Sequence, residues 1–210
     1  MDAEPQRRTL PTQRIILLLL ITAGSLAGNA CAQLRAIPIA ALDAVYNLEG
    51  YSVTAPPGEN WFALRRDKHN VYFGKRMESR THSFIATAMS APIAEKFENP
   101  GKFRDHISKM LPVRGDARHT VIESRVETDA TLGRFCVRHY IKEEDRGAPY
   151  AKGKALRMET FGVSCLHPDD PGLTISVSYT ERGIPAEISA ELRGEGENFV
   201  RSLKFTPHQP

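Results

Sequence analysis

Hydrophobic and polar positions are distributed differently along three stretches of this chain. Near the start, an unbroken apolar run, Ile15-Ile16-Leu17-Leu18-Leu19-Leu20-Ile21, follows three arginines. Residues 33–48 are Ala-rich and weakly patterned around Pro38, which reads as a flexible tether. From Tyr51 onward, short alternating segments are separated by turn residues, the pattern of a sheet-forming domain.

Tyr51-Ser52-Val53-Thr54-Ala55 alternates with period two and stops at Pro56-Pro57-Gly58-Glu59-Asn60, which predicts a strand and a turn. Strands follow over 61–66 and 71–76, joined by the polar loop Asp67-Lys68-His69-Asn70, and a fourth lies over 82–89. Asn99 then offers a helix cap and Pro100 suits the first turn. Phe103, Ile107, Met110 and Leu111 recur at helical spacing, which predicts one apolar face ended by Pro112.

Strands are again predicted over 120–128, 134–143 and 156–166. In Leu173-Thr174-Ile175-Ser176-Val177-Ser178-Tyr179-Thr180 every second residue is apolar, so the hydroxyls must line the more polar face of an antiparallel sheet. Ile188, Leu192, Phe199 and Leu203 predict a last helix, to which Gly194 and Gly196 contribute poorly. Strands outnumber helices and none of the connections looks like a βαβ crossover. The class is therefore α+β.

The N-terminal pattern of arginines, apolar run and small residues is that of a secretory signal peptide, placed over 1–32. A retained membrane span fits less well, because Ile15 to Gly28 is only 14 residues and a crossing takes about 20. Two cleavage points compete. Ala30-Cys31-Ala32 satisfies the small-x-small rule, so the mature chain starts at Gln33; alternatively, Gly28-Asn29-Ala30-Cys31 is a degraded lipobox, cut after Ala30, with Cys31 as the candidate lipid anchor. Membrane attachment is expected only through that anchor. Either outcome leaves Cys136 and Cys165, and an even pair in an exported chain points to a disulfide, two separate buried thiols being the alternative. The bridge would close a loop of about 30 residues, worth roughly 3 to 4 kcal/mol. A single domain is expected over 49–210.

Composition narrows the function classes. Without the leader's three arginines and two acids, 25 basic side chains face 23 acidic ones, a net charge of +2. Such balance gives no electrostatic basis for nucleic-acid binding. The seven histidines, His69, His82, His106, His119, His139, His167 and His208, are scattered singly. Cys136, Cys165 and His167 would make three zinc ligands only with reduced thiols, so neither metal nor cofactor is expected. No Gly-x-Ser-x-Gly elbow occurs. Gly194-Glu195-Gly196-Glu197 lacks the third glycine of a dinucleotide loop, and its glutamates would repel a pyrophosphate. Glu143-Glu144-Asp145, abutting Arg146-Gly147, reads as solvated charge at a hairpin tip.

One hairpin gathers cations among aromatics. Trp61, Arg65, Arg66, Tyr72, Lys75 and Arg76 would form a recognition patch for an anionic or aromatic partner if they shared a face. Strand alternation offers the other reading, aromatics inward and cations outward.

The opening GYSVTAPPGENW and closing GENFVRSLKF resemble the PsbP-like α/β/α sandwich proteins. The chain is similar, more narrowly, to uncharacterised exported proteins and lipoproteins of proteobacteria, which often carry a Cys-x-His-Pro element like Cys165-Leu166-His167-Pro168. The resemblance implies a PsbP-like sandwich, a central antiparallel β-sheet flanked by helices, and a non-enzymatic accessory role, and supplies no catalytic residue. The expected function is a non-catalytic extracytoplasmic module, periplasmic or lipid-anchored, that binds a protein or cell-envelope component. A small-molecule or lipid-binding protein is the alternative, which an apolar cavity of several hundred Å³ would favour; a hydrolase without recognisable motif is the second alternative.

Overall fold

The computed structural model describes residues 37–39, 43–111, 118–148 and 150–208. The leader over 1–32, with Cys31 and both cleavage points, lies outside them, as does Pro112. In chain order the elements are β1 (Ile37–Pro38), β2 (Val45–Leu48), β3 (Tyr51–Thr54), β4 (Trp61–Arg66), β5 (Asn70–Lys75), β6 (Ser83–Pro92), α1 (Pro100–Met110), β7 (His119–Thr128), β8 (Cys136–Asp145), β9 (Leu156–Leu166), β10 (Leu173–Gly183), α2 (Ala190–Arg201) and β11 (Lys204–Phe205). None of the described helices is long and apolar enough to cross a membrane.

An eight-stranded antiparallel sheet runs in the order β1-β4-β5-β6-β10-β9-β8-β7, and a three-stranded sheet in the order β11-β3-β2. Side chains alternate between faces along each strand. One face of the large sheet presents Phe73, Ala88, Ile175, Val177, Tyr179 and Val163, and these pack with Phe199 and Val200 of α2 and with Tyr51 and Val53 of β3 into the main core. Neighbouring positions point the other way: Val137 and Leu166 join Phe103 and Ile107 of α1 in a second, smaller core. The result is the α+β architecture expected from the sequence, a central antiparallel sheet with a helix on each face.

The alternation in β10 places Leu173, Ile175, Val177 and Tyr179 in buried positions. Their hydroxyl-bearing neighbours form a ladder on the other face, Thr87–Ser178, Thr160–Thr180 and Ser164–Ser176, each pair 2.9 Å apart. Asn99 caps α1 through its side-chain oxygen, which accepts from the Lys102 amide at 3.0 Å. Ser189 caps α2 in the same way, accepting from the Leu192 amide at 3.1 Å.

Three expectations are corrected. Residues 45–48, assigned to the tether, form β2: Tyr46 and Leu48 are buried, and the Glu49-Gly50 turn that follows returns the chain as β3, with Gly50 at φ +82. Met110, assigned to the apolar face of the first helix, is 68% exposed at its last position. Glu143-Glu144-Asp145 is no solvated tip but the end of β8. Asp145 is buried and receives two hydrogen bonds from the Arg118 guanidinium, both at 2.7 Å, and one from the Gly147 amide at 3.0 Å. Those donors hold its carboxyl down at about 2.

Candidate functional site

β6 ends, β8 begins, and β9 passes into β10 at one end of the large sheet, since Leu173 opposes Pro92 and Cys136 opposes Cys165. Between these strand ends lies a cavity of about 780 Å³, walled by residues 93–97, 132–136, 166–168, 171–172 and Phe205. The wall is mostly apolar, and Ile93, Phe97, Leu132, Phe135, Leu166 and Phe205 are among its residues. Its size falls within the roughly 300–1,000 Å³ range of small-molecule sites.

Two features of Cys165-Leu166-His167-Pro168 build this end. Cys165 and Cys136 are joined by a disulfide between directly opposed positions of β9 and β8, with their Cα atoms 4.1 Å apart. His167 is buried, and its Nδ1 accepts from the amides of Asp169 and Asp170 at 3.1 and 3.2 Å. That fixes the proton on Nε2, which lies 3.0 Å from the Gly50 carbonyl oxygen and 2.9 Å from that of Thr206 and donates to both. One ring thus ties the β9–β10 loop to the β2–β3 turn and to the chain after β11. A side chain at Gly50 would be crowded, its Cβ 3.1 Å from Leu173 and 3.2 Å from the His167 ring, and its φ of +82 disfavours any residue but glycine.

This geometry also disposes of the three-ligand zinc set. The sulfurs of Cys136 and Cys165 are bonded to each other, and both nitrogens of His167 are committed to main-chain groups.

The six residues of the cationic-aromatic hairpin do not form one surface. Trp61 and Lys75 oppose each other on β4 and β5 and face α2, where both meet Glu195. The indole Nε1 donates to Glu195 Oε2 at 2.8 Å and Lys75 Nζ sits 2.6 Å from the same oxygen. Trp61 is buried, so neither group is offered to a partner. Arg66 lies over the Tyr46 ring, 5.2 Å from its centroid, and Arg65 pairs with Asp67 at 3.3 Å. Tyr72 stands between the buried Val71 and Phe73 and so points to the opposite face. Arg76 is exposed beyond the end of β5.

A second hollow of about 410 Å³ lies between α2 and the β7–β8 edge, lined by Glu123, Arg125, Arg138, Tyr140, Arg193 and Glu197 among others. Its charges are spent internally: Arg138 pairs with Glu127 at 2.8 Å, Arg193 with Glu159 at 2.8 Å, and Arg125 with Glu123. The apolar cavity is therefore the stronger candidate. Its wall comes from four separate segments, and the signal available in the sequence was the Cys-Leu-His-Pro element at its edge.

No family model matches the chain, and no curated protein matches it in sequence. Among solved structures, LpqN, involved in cell envelope biogenesis of Mycobacterium tuberculosis, is similar with a TM-score of 0.50 and 10% identity, over 76% of this chain and 86% of that one. The Ran-binding protein Mog1p of Saccharomyces cerevisiae is similar with a TM-score of 0.42 and 9% identity, over 77% of this chain and 95% of its own. The likeness to LpqN is one of fold.

Proposed function

We propose that this protein is a non-catalytic, exported binding module that takes an apolar small molecule or lipid chain of the cell envelope into the cavity beside His167. The observation that carries the reading is the cavity itself, about 780 Å³ with mainly apolar walls. Filling it removes hydrocarbon from water at about 25 cal/mol per Å² of buried surface. The wall is pre-organised by the disulfide and by the His167 bonds, which lowers the ordering cost of binding.

Export is supported by the leader's arginine-apolar-small order and by a cysteine pair suited to an oxidising compartment. Grouping with the exported proteobacterial proteins belongs to the same proposal, and so does a role in the envelope, the setting in which LpqN acts. Whether the mature chain starts at Gln33 or at an acylated Cys31 is read from the mass of its N-terminus.

The test is extraction and mass spectrometry of protein purified from envelope fractions, beside Leu132→Trp, which fills the cavity. A co-purifying apolar compound that the variant loses supports the reading. An empty wild-type protein that takes up no hydrocarbon probe overturns it, and a stoichiometric protein partner recovered in place of a lipid would do the same in favour of docking.

A further inference from the structure

We infer that the ligand is an anionic single-chain amphiphile, its hydrocarbon in the cavity and its head held at the rim between Lys96 and Arg134. The inference rests on the cavity's being a binding site, and it names the chemistry of what binds there.

The wall decides the tail. Apart from the charged residues Glu95, Lys96 and Arg134, the polar side chain facing the cavity is His167, and both its nitrogens are occupied by main-chain partners. None of the described buried polar atoms that lack a partner lines the cavity. A ligand carrying a hydroxyl or amide deep into this space would strip its water without meeting an unpartnered side chain, at a cost of about 1–3 kcal/mol per unpaired group. The mainly apolar wall therefore favours hydrocarbon in the buried part of the ligand.

The rim decides the head. All three charged residues that line the cavity are exposed, which places them where it opens to solvent. Glu95 is turned toward α1, its Oε2 2.7 Å from His106 Nδ1. Lys96 and Arg134 have no acidic partner among the described residues, and the Arg134 guanidinium lies over Phe135, 5.3 Å from the ring centroid. Phe135 belongs to the apolar wall, so this stacking holds a planar, five-donor cation at the boundary between hydrocarbon and water. A carboxylate or phosphate at the end of a chain threaded past Phe135 is offered that fork, with the Lys96 ammonium lining the same cavity. A neutral head would leave both cations without a counter-charge.

Calorimetric titration of the delipidated mature chain with three probes of equal chain length separates the arms: dodecanoate and dodecyl phosphate below their micelle concentrations, and 1-dodecanol below its solubility limit. Both anions are expected to bind about tenfold or more tightly than the alcohol. Their advantage should shrink as salt rises. The double variant K96Q/R134Q, whose replaced side chains are exposed and leave the core intact, is expected to bring both anions down to the alcohol's affinity. Comparison of the two anions tells a fatty-acid head from a phosphate head. Equal binding of alcohol and anions overturns the inference while leaving the cavity reading standing. If none of the three binds, both fall together.

Discussion

Gly196, in the middle of α2, lies against the ring of Tyr179 on β10: a Cβ at this position would fall 2.4 Å from Cγ of the tyrosine. Two glycines in one short helix look like a defect from sequence alone. One of them is what lets the helix approach the sheet. Gly194, two positions earlier, has open space where its Cβ would be. The two positions should therefore respond in opposite senses to alanine. G194A is expected to stabilise by up to about 1 kcal/mol, the helix-propensity difference. G196A gains the same propensity but forces ring and helix apart, and overpacking of about 1–3 kcal/mol outweighs it. Chemical denaturation of the two variants checks the pair; equal shifts would show that α2 does not sit so close.

Glu195, between those glycines, carries the second prediction. Its carboxylate accepts from the Trp61 indole and pairs with Lys75, and the Lys75 and Glu195 side chains are only 11% and 14% exposed. E195A would leave a nearly buried ammonium without its counter-charge and the Trp61 indole with the Pro57 carbonyl, 2.9 Å away, as its remaining acceptor, a loss expected to cost about 3 kcal/mol. Replacing both members, K75M/E195L, should recover most of it, because the desolvation of two charges is then avoided. Trp61 is the chain's one tryptophan, so its emission reports the site directly. A melting temperature and emission maximum unchanged in E195A would refute the arrangement.

These two cases mark how far the sequence could be read. Periodicity within one segment is local information, and it placed the buried side of β10, the capped start of α1 and the α+β class. β2 was also legible in principle, since Val45-Tyr46-Asn47-Leu48 alternates and Glu49-Gly50 is a two-residue turn, but four residues in an Ala-rich stretch are too few to outweigh their context. Contacts across the sheet are not local. Nothing near Trp61 in the chain announces Glu195, so a buried ion pair resembled an exposed cationic patch. The cavity is further still from the sequence, because it is the space left between strand ends whose separation no residue encodes alone.

Cys136 both lines the cavity and bonds to Cys165 across the β8–β9 pair. Closing 29 positions in the unfolded chain corresponds to about 3 to 4 kcal/mol in the loop-entropy treatment. C136S/C165S is expected to lose about that much, with a steeper dependence on denaturant as its unfolded state expands. Reductant should lower the stability of the parent protein and leave the variant untouched. Alkylation of both thiols in native protein isolated under oxidising conditions would contradict the bridge.

The last prediction concerns acid. His139 on β8 is 5% exposed, and its ring crowds Gly162 of β9, where a Cβ would fall 2.8 Å from both Cε1 and Nε2. Its Nδ1 has no hydrogen-bond partner, and burial pushes the imidazole down from 6.5 to about 4. The unfolded chain, with an ordinary histidine, therefore binds a proton between about pH 6.5 and 4 that the folded one refuses. Stability from this residue is complete above pH 6.5 and drains away as pH falls through that window, by about 3 kcal/mol in all. Glu181 opposes it, because burial raises its carboxyl and the folded state then takes up a proton more readily than the unfolded one. The difference between the parent protein and His139→Phe cancels that contribution and isolates the imidazole. Measured from pH 7.5 to 4, the parent's denaturation midpoint should fall relative to the variant's as acid is added. Parallel curves would mean that His139 is protonated, or hydrated, in the folded protein.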